Sequence, residues 1–396
     1  MKNLSLYIHI PFCISKCDYC DFFSCRCDLF NKKNEIPDSY IQSVCNEIDY
    51  RLQKIIYSDC ESKIKTIYIG GGTPSLLNEN QIKKLVDALF LYEVSQDYEF
   101  TFEVNPDDIT KEYLQVLAEN KINRISCGIQ SFSNDSLNCV HRRADLVQVE
   151  NALDLISHNW HKKISVDLIC GLPGETEASM LEGLKKLCKK NIPHISFYSL
   201  CVEDETPLGR AINTNKIVYD FDKTDELWIK GRAFLLKNGY EQYEISNFAK
   251  PGYECIHNMT YWEHKDYLGI GAGGTGSVYK ENGEGYRWTN STNIDEYIEY
   301  WTNKNNSEKI PQTEEIVDLE TSIFEYFMMG LRLKKGIYEK DFYNIFSKKY
   351  PQKIIDKLEQ WKINDYCSLE KENSFLKCKL SEKGMLFLNT LLEDLI

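Results

Sequence analysis

Six short apolar stretches alternate with helix-like segments between Leu4 and Val202, and this alternation restricts the fold more than any other feature of the sequence. Each stretch is rich in β-branched and aromatic residues and ends in a turn or polar cluster, as strands do. Parallel strands need helical crossovers. Six strand–helix units predict an incomplete α/β barrel, with functional residues at the carboxyl ends of its strands. The candidates are LSLYIHI from Leu4, TIYIGGG from Thr66, EFTFEVNP from Glu99, RISCGIQS from Arg124, ISVDLICGL from Ile164 and HISFYSLCV from His194.

Three domains are expected, because single cores stop growing near ~250–300 residues and the alternation fades after Val202. Residues 1–205 are predicted to form the barrel, residues 206–306 a second lobe covering its mouth, and residues 307–396 a small helical domain. A hairpin near Leu369 to Leu380 favours a winged-helix arrangement for the last of these. One long helix is predicted there from the stripe of Ile316, Leu319, Ile323, Phe327 and Leu331.

Charge and apolar content limit the partners and the compartment. The formal net charge is −13, with no Lys/Arg block able to neutralise phosphates, so nucleic acid is excluded as a partner. The apolar stretch from Leu4 to Ile10 is too short for a signal peptide or a membrane span and is followed by Pro11. The prediction is a cytoplasmic protein whose fifteen cysteines are reduced and available to metal.

Three cysteines with the spacing Cys13-x3-Cys17-x2-Cys20 follow the first predicted strand directly. Three thiolates from one loop suit cluster iron and leave one iron of a [4Fe-4S] cluster free. A structural zinc site or an ordinary electron-transfer cluster needs a fourth ligand, and Cys25 and Cys27 lack the matching spacing. Chance clustering of free thiols, and substitution of Cys25 or Cys27 for a ligand, are the alternatives.

The segment YIHIPFC, continued through Cys20, resembles the opening of radical S-adenosylmethionine (SAM) proteins related to oxygen-independent coproporphyrinogen III oxidase. The resemblance implies that SAM binds the open iron. It also implies that the reduced cluster releases a 5′-deoxyadenosyl radical from SAM, while the protein positions the cofactor.

The same resemblance implies a set of SAM contacts. GGGTP, which closes the second predicted strand, lets the backbone approach a ligand closely. The alternative for GGGTP is a plain turn without a ligand. For the polar residues at the strand ends, the alternative is a hydrogen-bonded structural group or a helix cap. For the tyrosines, it is aromatic packing. Arg143 is an alternative to Arg142. The implied contacts are Tyr7, Tyr19, Gly71, Gly72, Thr73, Glu103, Gln130, Arg142 and Asp167.

Several features resemble the heme chaperone branch of this family more than the oxidase. Phe22 stands where the oxidase pattern has another cysteine, only six residues precede Tyr7, and FMMGLRLKKGI near the carboxyl end matches the branch. CIHNMTYW resembles its HNxxYW motif, which implies that His257 is an axial heme ligand. A core histidine beside packing aromatics is the alternative. Two departures are Ala144, where relatives have histidine, and GGTGS, where many have GAHS.

The resemblance therefore implies a heme chaperone that binds heme, a [4Fe-4S] cluster and SAM, and that hands heme to an acceptor protein. The acceptor is unidentified, and a membrane-associated protein is one candidate. The rival is a coproporphyrinogen III oxidase that uses the radical for oxidative decarboxylation. A third reading is an enzyme acting on another small molecule, with His257 in a structural role.

Overall fold

The computed structural model describes residues 3–29, 35–56, 62–303 and 309–395. The strands are β1 (Asn3–Ile10), β2 (Phe12–Cys13), β3 (Cys25–Arg26), β4 (Lys63–Gly71), β5 (Val94–Val104), β6 (Arg124–Gln130), β7 (Lys163–Cys170), β8 (His194–Ser199), β9 (Glu241–Gln242), β10 (Asn247–Ala249), β11 (Tyr267–Ile270), β12 (Thr275–Tyr279), β13 (Gly285–Asn290), β14 (Gln312–Val317), β15 (Ile337–Tyr338), β16 (Cys367–Glu372) and β17 (Phe375–Leu380).

The α-helices connect and cover these strands. They are α1 (Asp38–Ile56), α2 (Glu79–Leu89), α3 (Lys111–Glu119), α4 (Asn134–Cys139), α5 (Leu146–Asn159), α6 (Glu177–Lys189), α7 (Pro207–Asn213), α8 (Phe221–Lys237), α9 (Ile256–Trp262), α10 (Ile294–Thr302), α11 (Leu319–Gly330), α12 (Glu339–Phe346), α13 (Gln352–Ile363), α14 (Glu382–Leu386) and α15 (Leu388–Glu393). Within the described ranges, no helix is both long and apolar enough to cross a membrane.

The six predicted strands are β1, β4, β5, β6, β7 and β8, and they lie side by side in that order, all parallel. Helices connect successive strands from β1 to β8. The predicted α/β fold with an incomplete barrel of six strand–helix units is confirmed. In the described part of the chain, β1 and β8 do not pair with each other: β1 continues to β11 and β8 to β10.

The segment from 206 to 306 extends the sheet at both edges. β9 and β10 add antiparallel strands beside β8, while β11, β12 and β13 continue the sheet beyond β1. Trp288 and Trp301 belong to the same apolar core as the barrel strands. The domain boundary predicted after residue 205 stays a prediction. The boundary predicted between residues 306 and 307 lies outside the described residues.

The carboxyl-terminal segment has a separate apolar core, built around Phe327, Phe342 and Trp361. β16 and β17 form the predicted hairpin, and β15 pairs with β17 to complete a three-stranded sheet beside helices. The predicted long helix was wrong at its start, because Ile316 lies in β14 and is 81% exposed. Helix α11 begins only after Asp318, whose side chain accepts a hydrogen bond from a backbone N–H of the first turn.

The inner face of the parallel strands is polar along its middle. Closed barrels of this class fill that space with branched apolar side chains. Here Thr101 of β5, Ser126 of β6, Asp167 of β7 and Ser196 of β8 line a cavity instead. The barrel interior therefore holds a cavity with polar side chains along its middle rather than a fully packed core.

Candidate functional site

A cavity of about 490 Å³ lies at the carboxyl ends of the parallel strands and extends down into the barrel. Residues from β4, β5, β6, β7 and β8 and from the cysteine loop line it. The predicted SAM contacts that line it are Tyr19, Gly71, Gly72, Thr73, Glu103, Gln130, Arg142 and Asp167.

The three cysteines of the predicted cluster meet beside this cavity. Cys13, Cys17 and Cys20 line a smaller adjoining cavity together with Thr73 and Arg142. Burial raises the pKa of Cys13 and of Cys20. No three His, Cys, Asp or Glu side chains among the described residues converge closely enough for a single metal ion. Thiols spaced around a cavity instead suit a [4Fe-4S] cluster, whose four irons take thiolates at separate corners.

Cys25 and Cys27 lie outside the cavity that the other three thiols line. The Cys25 thiol donates to the carbonyl oxygen of Pro11 at 3.3 Å, and burial raises its pKa to about 12. Cys27 is completely buried in the barrel core, and burial raises its pKa to about 11. The geometry therefore favours Cys13, Cys17 and Cys20 as the ligand set.

The glycine turn after β4 holds the cysteine loop against the sheet. A Cβ on Gly72 would lie 2.7 Å from the carbonyl oxygen of Phe12 and 3.0 Å from the Cys13 sulfur. Gly71 has φ of +119°, a conformation that other residues rarely adopt. Both positions require glycine, and the close approach brings Thr73 to Cys13.

Two half-buried carboxyl groups face the cavity. Glu103 accepts hydrogen bonds from the Tyr68 hydroxyl at 2.8 Å and from the Gly71 N–H at 3.1 Å, yet burial raises its pKa to about 7. Asp167 accepts from Ser126 at 2.9 Å, and burial raises its pKa as well. A positively charged ligand such as SAM would favour the ionised form of both groups.

The two neighbouring arginines have separate roles in the structure. The Arg142 guanidinium points into the site, where Nη1 lies 3.5 Å from the Cys17 sulfur and Nη2 donates to the Asn105 side chain at 2.8 Å. Arg143 instead forms ion pairs with Asp107 and Asp108. This arrangement favours Arg142 over Arg143 as the residue that reaches a ligand.

The remaining predicted contacts differ in their access to the cavity. Gln130 ends β6 with φ of +71°, and its side chain lines the cavity. Tyr19 lines both cavities, and burial raises its pKa. Tyr7 does not line the large cavity; its hydroxyl bonds to Nδ1 of His9 at 2.9 Å, and its ring packs beside Tyr68. A direct SAM contact by Tyr7 therefore does not follow from this geometry.

The structure does not present His257 as a heme ligand. Its side chain is 1% exposed, Nδ1 bonds to the Thr66 hydroxyl at 2.8 Å, and Nε2 bonds to the Tyr261 hydroxyl at 2.8 Å. Burial lowers its pKa to about 3, so the imidazole is neutral. An axial ligand needs one free ring nitrogen open to the metal, and here both are used. In this conformation the geometry is that of a core histidine, and the role of His257 as a heme ligand stays a prediction.

Sequence reasoning missed several residues of the site. Asn105, two residues after the predicted Glu103, lines the cavity and accepts a hydrogen bond from Arg142. Its place in a strand-end EVNP segment was the available signal. At the cavity mouth stand Phe22, which is 73% exposed, and Tyr198, which is 40% exposed. The exposure of these two rings depends on the packing around them and had no signal in the sequence.

Known proteins are similar to this chain in sequence and in architecture. The sequence profile of the Radical SAM superfamily matches residues 7–187. The heme chaperone HemW of Lactococcus lactis is 33% identical over 91% of this chain and 90% of its own length. Heme chaperone HemW of Haemophilus influenzae is 33% identical, and that of Escherichia coli 32%, each over 99% of this chain and 98% of its own length.

A solved structure has the same fold over almost the whole chain. Coproporphyrinogen III oxidase (HemN) from Escherichia coli, described as a radical SAM enzyme, superposes with a TM-score of 0.80 at 20% identity. The match covers 99% of this chain and 90% of that one. At this identity the likeness concerns the fold alone.

Proposed function

Because this chain belongs to the heme chaperone HemW family, we propose that it binds heme and transfers it to an acceptor protein, with a [4Fe-4S] cluster and SAM held in the barrel. The observation that carries the proposal is the similarity to heme chaperones over 99% of the chain. The cysteine loop beside a cavity at the strand ends supports the cofactor part.

In this proposal Cys13, Cys17 and Cys20 bind three irons of the cluster and leave the fourth to SAM. The bound cluster supplies an electron that can cleave SAM to a 5′-deoxyadenosyl radical. The chain contributes the surroundings: Glu103 and Asp167 offer carboxylates to the positive charge of SAM, and their burial strengthens that attraction. Gly71, Gly72, Thr73, Gln130 and Arg142 complete the lining.

Heme is proposed to bind at the mouth of the cavity. Phe22 and Tyr198 leave aromatic surface exposed on this rim, where the apolar face of a macrocycle would cover it. His257 acts in this proposal as a positioning residue, because its hydrogen bond to Thr66 ties α9 to β4 and its other ring nitrogen is bonded to Tyr261 of the same helix. Delivery to an acceptor requires that heme remain accessible, and a rim site meets that requirement.

The test is anaerobic reconstitution of the full chain, followed by addition of heme and measurement of retained heme per chain. Apomyoglobin serves as a generic acceptor, and transfer is followed by its absorption spectrum. Phe22→Ala is expected to weaken heme retention, while Val218→Ala, at another exposed apolar side chain that does not line the cavity, is expected to leave it unchanged.

Turnover of coproporphyrinogen III is assayed in parallel. Stoichiometric heme that passes to apomyoglobin, without a decarboxylated product, supports the chaperone. Formation of vinyl product coupled to 5′-deoxyadenosine, with no stable heme uptake, contradicts it and supports the oxidase instead.

A further inference from the structure

Two of the three cluster thiols receive a hydrogen bond from a side chain outside the cysteine loop. The Thr73 hydroxyl donates to the Cys13 sulfur at 3.4 Å. Nη1 of Arg142 donates to the Cys17 sulfur at 3.5 Å. These donors come from the turn after β4 and from the segment between α4 and α5, so the fold brings two distant parts of the chain to the same sulfur cavity.

The Arg142 guanidinium is held in place by the structure. Its Nη2 donates to the Asn105 side chain at 2.8 Å and to the carbonyl oxygen of Gly128 at 2.6 Å. These two acceptors fix the plane of the group and aim Nη1 at Cys17. A charged donor held this way makes a stronger hydrogen bond than a neutral one, and it loses little entropy in making it.

Hydrogen bonds to cluster sulfurs alter the reduction potential. One-electron reduction adds negative charge that is shared with the thiolate ligands, so donors aimed at those ligands stabilise the reduced state and raise the potential. The effect is larger for a cation in a buried site, where screening by water is weak.

We propose that Arg142, fixed by Asn105 and Gly128, is a positioning and tuning residue that raises the reduction potential of the cluster through its hydrogen bond to Cys17, with a smaller contribution from Thr73 on Cys13. This inference rests on the cluster in the proposed function. A raised potential makes the cluster easier to reduce and a weaker electron donor to SAM.

The neighbouring Arg143 provides a matched control. It carries the same charge and lines the same sulfur cavity, but its guanidinium pairs with Asp107 and Asp108. Arg143→Gln removes one positive charge and leaves two carboxylates uncompensated. If long-range charge alone set the potential, this variant would lower it at least as far as Arg142→Gln.

The experiment is a mediated redox titration of the reconstituted full chain without SAM, with the reduced cluster followed by electron paramagnetic resonance. At the potential where the wild-type cluster is half reduced, Arg142→Gln is expected to lower the ratio of reduced to oxidised cluster about tenfold, or ~59 mV for one electron. Thr73→Val is expected to lower it by less, Thr73→Ser to keep it near wild type, and Arg143→Gln to change it less than Arg142→Gln does.

Four outcomes separate the alternatives. Absence of a cluster in the wild type would count against the proposed function itself. A normal cluster with an unchanged potential in Arg142→Gln, or an equal shift in Arg143→Gln, would overturn the tuning role. If Arg142→Gln binds no cluster, the Thr73→Val and Thr73→Ser pair decides: equal potentials in these two variants overturn the inference.

Discussion

Replacing Glu103 by glutamine is expected to remove a pH dependence from the stability of the chain. Burial raises the pKa of this carboxyl group from 4.5 to about 7, so the folded state binds its proton more tightly than the unfolded state does. Between these values the folded chain carries the extra proton, and its free energy of unfolding falls as pH rises. Below about pH 4.5 and above about pH 7 the contribution is constant.

The size of this effect follows from the two pKa values. The difference between about 7 and 4.5, at about 1.4 kcal/mol for each pH unit, corresponds to at most about 3–4 kcal/mol. The true value is smaller because Glu103 faces a cavity that water can enter. Glutamine has a similar shape and no charge, so Glu103→Gln should gain stability relative to wild type as pH rises from 5 to 7.

Urea unfolding of the cluster-free chain, followed by circular dichroism at pH 5, 6, 7 and 8, measures this difference. Glu205→Gln is the control, because that side chain is 94% exposed. The reasoning is refuted if the stability difference between Glu103→Gln and wild type is the same at all four pH values. It is also refuted if Glu205→Gln shows the same trend.

Four other substitutions test the site. Gly72→Ala should lower the iron content of the reconstituted chain, because its Cβ would lie 2.7 Å from the Phe12 carbonyl oxygen; wild-type iron content would contradict this. Cys17→Ser should abolish the cluster absorption while Cys25→Ser, whose side chain lies outside the sulfur cavity, should retain it; the reverse result would reassign the ligands. His257→Phe leaves the Thr66 and Tyr261 hydroxyls without their shared partner and should cost about 1–3 kcal/mol for each one that stays unpaired, measured by thermal unfolding. Heme bound per folded chain should stay constant in that variant, and selective loss of heme would support His257 as a heme ligand.

The parallel strands were predictable because their signal is local. Each of the six stretches carries β-branched and aromatic residues and stops at a polar or glycine-rich turn, so a single segment was enough to identify its strand. The position of the cavity followed from topology, since parallel strands place their carboxyl ends at one edge. Helix α11 was predicted one turn too early because an apolar spacing cannot distinguish an exposed residue of an edge strand, Ile316, from the first residue of a helix.

Side-chain partners were not predictable to the same degree, because they depend on contacts between segments that are distant in sequence. His257 is chemically able to bind iron, and only its two bonds to Thr66 and Tyr261 show that this conformation uses both ring nitrogens. The sequence alone does not distinguish Arg142 from Arg143. In the structure, Asp107 and Asp108 bind the Arg143 guanidinium, while Asn105 directs that of Arg142 to the Cys17 sulfur. All three acceptors lie in one short segment after β5, so a few residues following a single strand determine which arginine serves the site.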